Sequence, residues 1–559
     1  MIPIISYYLL LLVKYLLLFF YFYFLGRGVL LLINKIISNN KNTPKNILFV
    51  RQEIYFPLVG MAILGNVLII INYFLGLKNP ITVLIATLLL LPNFINLSSL
   101  NLPSINLWSL IYYGIIPAIL IISSYDTSWH YDAGYYHLNQ QNLLRESNMI
   151  IGTVNIFWAF GMSSIYEYIS AFLWIDKSFI LIHFTTLIFI QTFYIYLISN
   201  LENTRYKEMR YASYLLLAYS LLDNVGINGG RNGFLYIQGV TKQDIPVAVL
   251  IVMIGLSCLL VLKYRKIEKI DIFVLFLISL FLIQLKLSSV VIGYLLIILC
   301  IFINRNNIKT IKDISFSIFP ILPFLFAWLT KGYLTTGCFL FPLSATCINN
   351  FEWYPTNSTR SMESVTTTSS YGLIEYLNQS IPISEWWANL ISFKINFTVI
   401  NNFLISFIII YLLKTILFRT QLPSLIILST IFSFLPIYLL YLFLYGPTPR
   451  YAMGFLMFTI ASMSFFIEDM KFKINNKYFY ILYLFSIILL VRGTSYQAFL
   501  SGEEIEIFDP VPIAQYQDIG NGWVIPDEGD QCWINLKCTM EKQPAAFIEG
   551  SFFKTAYKK

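Results

Sequence analysis

The chain has 559 residues, 57% of them hydrophobic and only 12% charged, with a mean hydropathy of +0.70 and a formal net charge of +8. A soluble domain carries about 25% charged residues, so this composition excludes an ordinary soluble globular protein. The positive balance does not call for nucleic acid, because Lys and Arg collect in the cytoplasmic loops of any polytopic membrane protein.

Apolar runs of about 17–25 residues recur from end to end, the length a helix needs to cross a bilayer. They are too long and continuous for barrel strands, and a spanning helix satisfies its own backbone. The chain therefore reads as an all-α polytopic membrane protein. Fourteen candidate spans begin near residues 4, 54, 80, 107, 177, 211, 245, 271, 287, 314, 400, 423, 451 and 478. The first run, Ile4 to Leu25, lacks a basic leader and a small-residue cleavage site, and reads as a retained helix rather than a signal peptide.

The loops alternate in charge. Arg27 to Arg51, Arg205 to Arg210, Lys263 to Lys269, Arg305 to Lys312, Lys414 to Arg419 and Lys471 to Lys477 together hold twenty of the 37 basic residues. The positive-inside rule assigns them to the cytoplasm and both termini to the outer side. The chain divides into a transmembrane domain over 1–492, with outer loops 125–176 and 331–399, and a C-terminal tail over 493–559. No GxGxxG or Walker loop, metal-spaced His/Cys cluster or internal repeat is visible.

After the fourth span comes "YDTSWHYDAGYYH" (125–137), which holds two of the three histidines, His130 and His137, with Asp126 and Asp132. A carboxylate beside an imidazole at a membrane surface can act as a general base on a hydroxyl. Asp132 and His137 are too far apart for one α-helical face, though a turn at Gly134 would join them. Residues 138–175 read as amphipathic surface helices. In "DNVGINGGRNGFLYIQGVTKQDIP" (223–246), glycines around Arg231 permit close approach to a ligand, and Asp244 reads first as a helix cap. Lys286, in "QLKLSSVV", is either a phosphate-binding point charge or a snorkelling anchor. Trp353, in the loop 331–399, suits a carbohydrate or an interface. Arg450, in "PTPRY", opens a span from the outer side, as a phosphate receptor at a helix N-terminus or as an anchor. Cys258 and Cys300 fall inside spans. Cys338, Cys347, Cys532 and Cys538 lie on the outer side, and the last two are expected to pair and pin the tail.

The acidic, His- and Tyr-bearing outer loop, its surface helices and the late "PRY" helix start resemble the GT-C glycosyltransferases, polytopic enzymes that take a sugar from a polyprenyl-phosphate carrier. More closely, the chain resembles an uncharacterised family of bacterial inner-membrane proteins of envelope-polysaccharide loci. The matching pieces are "DAGYYH" (132–137), "KQDIPVAVLIV" (242–252), "KLSS" (286–289), "GYLTTGCFLFPL" (332–343), "NFEWYP" (350–355), "PTPRYAMGF" (447–455) and "GDQCW" (529–533). The resemblance implies a periplasmic-face glycosyl transfer from an undecaprenyl-linked donor to a glycan or lipid-linked acceptor in the inner membrane. Asp132, or Asp126, would be the base, His137 its support, and Arg450 and Lys286 the carrier-phosphate ligands; His130, Arg231, Asp244 and Trp353 would complete the substrate site. No cofactor is expected and a divalent cation is unsupported. A repeat-unit polymerase for O-antigen or capsule would use the same chemistry. A flippase or transporter for a lipid-linked saccharide is the reading from another class; transporters place charges at the bilayer midplane and often repeat their halves, neither of which this sequence displays.

Overall fold

The structure, a computed structural model, describes residues 2–38, 46–94, 107–162, 164–175, 178–201, 203, 205–226, 233–237, 239–304, 308–348, 353–354, 358–472, 476–502, 505, 511–512, 514–520, 522–541, 545–549 and 554–557. Helices dominate it. Among the described residues, eight of the fourteen predicted positions carry helices long and apolar enough to cross a membrane: Ile5–Ile37, Gln52–Asn72, Leu107–Asp126, Ile180–Leu201, Asp244–Tyr264, Lys312–Thr336, Asn396–Leu417 and Leu425–Tyr445. The pair Lys477–Leu490 and Gly493–Ser501, bent by 70°, makes a ninth if counted as one span. The other five positions hold shorter or more polar helices: Pro80–Phe94, Lys207–Val225, Lys269–Leu285, Leu287–Phe302 and Pro449–Ser462. Among the described residues, these helices are shorter or carry more charge than the eight.

Two helices form the axis of the core. Asp244–Tyr264 and Ile180–Leu201 are buried almost all round, because their sequences have no polar face to leave outside. Pro246 sits in the first turn of Asp244–Tyr264, where its missing N–H costs nothing. Arg265, left-handed at φ 53°, ends that helix, and Glu268 and Asp271 cap the next one reciprocally.

Basic loops from distant parts of the sequence meet at one end of the bundle. Lys207 Nζ donates to the Glu468 carbonyl (2.5 Å), Tyr211 to Asp469 (2.8 Å), and Lys263 pairs with Glu208 (2.5 Å). At the same end, Leu48 N–H donates to Asp271 and Lys269 pairs with Asp313 (3.0 Å). A two-stranded ribbon, Phe418–Thr420 with Ile467–Met470, closes it.

The opposite end carries the loop after the Leu107–Asp126 helix, and the C-terminal tail covers it. Helix Gly493–Ser501 packs on the turn at 122–126. Ile151 N–H donates to the Lys554 carbonyl (2.9 Å) and Ala556 N–H returns the bond (2.8 Å), so the last ribbon, Ala546–Glu549 with Lys554–Tyr557, extends into the loop. Ile150, Ile156, Phe157 and Phe160 bury against Trp523, Ala545 and Ala556 as a small second core. Cys532–Cys538 is bridged, and so is Cys338–Cys347, the pairing that the sequence made the less expected of the two. Antiparallel backbone pairing of Cys338 with Cys347, across a turn, brings those sulfurs together.

Candidate functional site

Residues Ala133–His137 form a π-helical turn that runs into helix Leu138–Glu146. A π turn bonds residue i to i+5, the spacing that separates Asp132 from His137. The wider turn does what a bend at Gly134 was expected to do, and the His137 ring acts electrostatically on the Asp132 carboxylate. Gly134 has another use. A Cβ there would collide with the Gln531 side chain and come within 2.8 Å of the Trp533 ring, and its carbonyl accepts the Trp533 N–H (2.9 Å). Tyr131 O–H donates to Asp530, and Asn142 reaches the Ile534 carbonyl (2.9 Å). The stapled segment around Cys532–Cys538 is thus fitted onto the loop.

The charged groups converge from four segments. Asp132 pairs with Lys242, which is 8% exposed. Asp244, 3% exposed, pairs with Lys286. The Lys286 ammonium stands 3.7 Å from the centre of the Tyr451 ring, and Arg450 lies over the same ring at 4.8 Å while donating to its hydroxyl (2.8 Å). Arg450 is within electrostatic reach of both Asp244 and Asp132. Two carboxylates face three cations in this group, which leaves one positive charge in excess. Partly desolvated cations at a helix N-terminus make a receptor for a phosphate-bearing ligand.

Burial alone would raise the Asp132 carboxyl, but Lys242 and the two histidines outweigh it and hold it well below the usual carboxylate range. Burial lowers Lys242, with Asp132 opposing the shift. His130 is pushed down to about 4 by burial and then by Lys242. Its Nδ1 accepts the Asp132 backbone N–H (3.1 Å), which requires an unprotonated Nδ1, and stands 3.7 Å from the Asp132 carboxylate. His137 behaves differently. Its Nδ1 lies 2.6 Å from Glu167, which is 1% exposed and also accepts from Gln141 (2.7 Å) and Gln243 (3.0 Å). That contact puts the ring proton on Nδ1 and leaves Nε2 as the acceptor nitrogen.

The structure therefore brings Asp132, His130, His137, Lys286, Asp244 and Arg450 together, and separates the rest. Asp244 does not cap its helix: Gln243 is the cap residue, and the Asp244 carboxylate serves Lys286 instead. Asp126 is not in the cluster. It accepts from Thr494 (2.5 Å) and lies 4.0 Å from Arg492, beyond the seam where Trp129 pairs with Val240. Trp353 stands with the tail ribbon, its carbonyl accepting from Asn155 (2.7 Å), because the loop 331–399 folds back on 150–160. Arg231 lies outside the described residues.

Sequence reading passed over Lys242, Gln243, Glu167 and Tyr451. Glu167 carried the clearest signal, a lone acid among aromatic and aliphatic residues in a helix that turns out to be buried.

One protein-family model matches the chain, over residues 8–457, and is described as a domain of unknown function (DUF8201). The match takes in every charged member of the cluster and stops short of the tail. No curated protein and no solved structure matches the chain.

Proposed function

The chain belongs to the DUF8201 family, and from that premise we propose that it is an integral-membrane glycosyltransferase of GT-C-like architecture. In this reading the cluster faces the periplasm of a bacterial inner membrane, both termini lie on that side, and the shorter helices complete fourteen spans. The donor is a polyprenyl-phosphate-linked sugar and the acceptor a glycan hydroxyl of an envelope polysaccharide. One observation carries the proposal: Asp132, Asp244, Lys286 and Arg450, far apart in sequence, meet with Lys242 in a single half-buried group with a surplus cation.

The acceptor oxygen attacks the anomeric carbon, the bond from that carbon to the phosphate oxygen breaks, and the acceptor proton leaves to a base. The transition state is oxocarbenium-like, so charge stabilisation matters as much as proton removal. Lys286 and Arg450 neutralise the departing phosphate. Asp132, kept anionic by Lys242, orients the acceptor hydroxyl and takes its proton, with His137 and Glu167 behind it. Asp132→Asn keeps the shape and removes the base, and general-base loss costs about 10²–10⁴-fold in rate. The variant is expected to stop polysaccharide extension at unchanged protein level, with the unextended lipid-linked glycan accumulating. Normal extension by this variant sinks the catalytic assignment.

A further inference from the structure

Helices Asp244–Tyr264 and Pro449–Ser462 run side by side in the same direction. A Cβ added at Gly454 would stand 2.7 Å from the Ile251 side chain, and one added at Gly255 would stand 2.5 Å from the Phe458 ring. The two helix starts are therefore about two residues out of step, roughly 3 Å at the α-helical rise. Their positive ends lie together in the charged cluster, to which they contribute Lys242, Asp244 and Arg450. Neither start is capped by a side chain: Gln243 donates to Glu167 (3.0 Å) and Thr448 makes no cap bond. Asp244 stands in the first turn, but Lys286 matches its charge.

Two hydroxyls at these starts, those of Thr241 and Thr448, are buried and make no hydrogen bond among the described residues. Thr241 is 1% exposed. A buried hydroxyl without a partner is destabilising. The backbone of Thr241 adds a second cost. Its φ of 79° is left-handed, and among the described residues it is the only β-branched side chain in that region. Glycine would adopt the conformation freely. Strain of this kind gathers at ligand sites, where the side chain is retained for what it touches. Thr241 is held between the seam and the cluster: Val240 N–H donates to the Ser128 carbonyl (3.3 Å), and Lys242 pairs with Asp132. Two uncapped helix starts, a surplus cation and two hydroxyl donors, with both carboxylates already ion-paired, suit an oxyanion with several acceptor oxygens.

We propose that Thr241 and Thr448 donate their hydroxyls to a phosphate group bound at the paired helix starts, beside Lys286 and Arg450. The left-handed conformation of Thr241 is kept because it serves that contact. That the phosphate belongs to a lipid-linked sugar rests on the transferase reading; the phosphate site itself does not.

The full chain in a phosphorus-free detergent, titrated with inorganic phosphate and followed by phosphorus NMR line broadening, tests it. The parent should bind, and Arg450→Met should abolish binding, which locates the site. Thr241→Gly and Thr448→Ala should each weaken it about tenfold, the worth of one hydrogen bond to a charged group. Thr241→Ser, which keeps the hydroxyl, should bind as the parent does. Thr241→Gly should melt no lower than the parent, because glycine relieves the backbone; a lower melt alongside the lost binding would make Thr241 merely structural and overturn its role. The site is also overturned if phosphate does not bind, if it binds Arg450→Met equally well, or if both threonine variants hold it as tightly as the parent. If the threonine variants lose phosphate while Asp132→Asn extends glycan normally, the transferase reading fails and the phosphate site stands. If Asp132→Asn stops extension while both threonine variants bind phosphate like the parent, the reading stands and this inference fails.

Discussion

At the scale of single residues, the site is governed by what each ionisable group is held against. His130 is neutral because burial and Lys242 disfavour its proton, and its folded value near 4 lies below the ordinary value of 6.5. Between those two values the unfolded chain binds a proton that the folded chain refuses. Stability therefore rises with pH across that window and is lost on acidification from about 6.5 towards 4. Asp132, depressed by Lys242, continues the loss below the ordinary carboxylate range. Thermal unfolding of detergent-solubilised protein should move to lower temperature as pH falls through this window, and His130→Asn should flatten the dependence. An unchanged slope in that variant would assign the sensitivity to other groups. Glu167 is the counterpart. With three hydrogen-bond donors on one buried carboxylate, it fixes the tautomer and the direction of His137 without needing any contact with a ligand.

At the scale of elements, the contact between loop and tail is specified by shape. Gly134 lies where the Gln531 and Trp533 side chains press on the π turn, so Gly134→Ala overpacks the contact and should cost about 1–3 kcal/mol. The expected readout is faster proteolysis within 511–557, with the helical bundle intact by circular dichroism. Equal resistance to proteolysis would mean that the tail is held elsewhere, for instance by the Ile151–Ala556 backbone bonds. The π turn also explains a limit of pattern reading. Hydrophobic periodicity distinguishes helix from strand but has no signal for one inserted residue, and that residue decides whether Asp132 and His137 face the same way.

At the scale of the whole molecule, the segregation of basic loops makes a topological prediction. Single cysteines introduced at Lys207 and Lys471, in a background lacking native cysteines, should react with impermeant maleimide only after cells are opened; one at Ser128 should react in intact cells. Reaction of the first pair in intact cells would invert the orientation. The helical class and most positions of the cluster were legible in the sequence, because length in lipid and the rarity of His and Asp are properties that composition exposes. The partners were not. Lys242 and Asp132 are separated by 110 residues, and only the packing of the Asp244–Tyr264 helix beside the loop gives each a counter-ion. The cap reading of Asp244 failed for the same reason, a cap being a local pattern while its partner Lys286 is 42 residues away, and Asp126 likewise finds its neighbour Arg492 at a distance the sequence does not show. The span count rests on a different property. Hydropathy measures apolarity along a run and does not register where a helix bends or stops.

The tail's grip on the loop also sets an order of events. Synthesis runs from the N-terminus, so every helix of the bundle and the whole charged cluster leave the ribosome before Gln531, Trp533 and Ala556 exist. The helices are complete while the surface beside Asp132 is still open, and the last thirty residues or so, with the Cys532–Cys538 bridge, finish that surface afterwards. A chain stopped near residue 500 would keep the helices and the charged cluster but leave the loop at 131–142 without the segment that covers it.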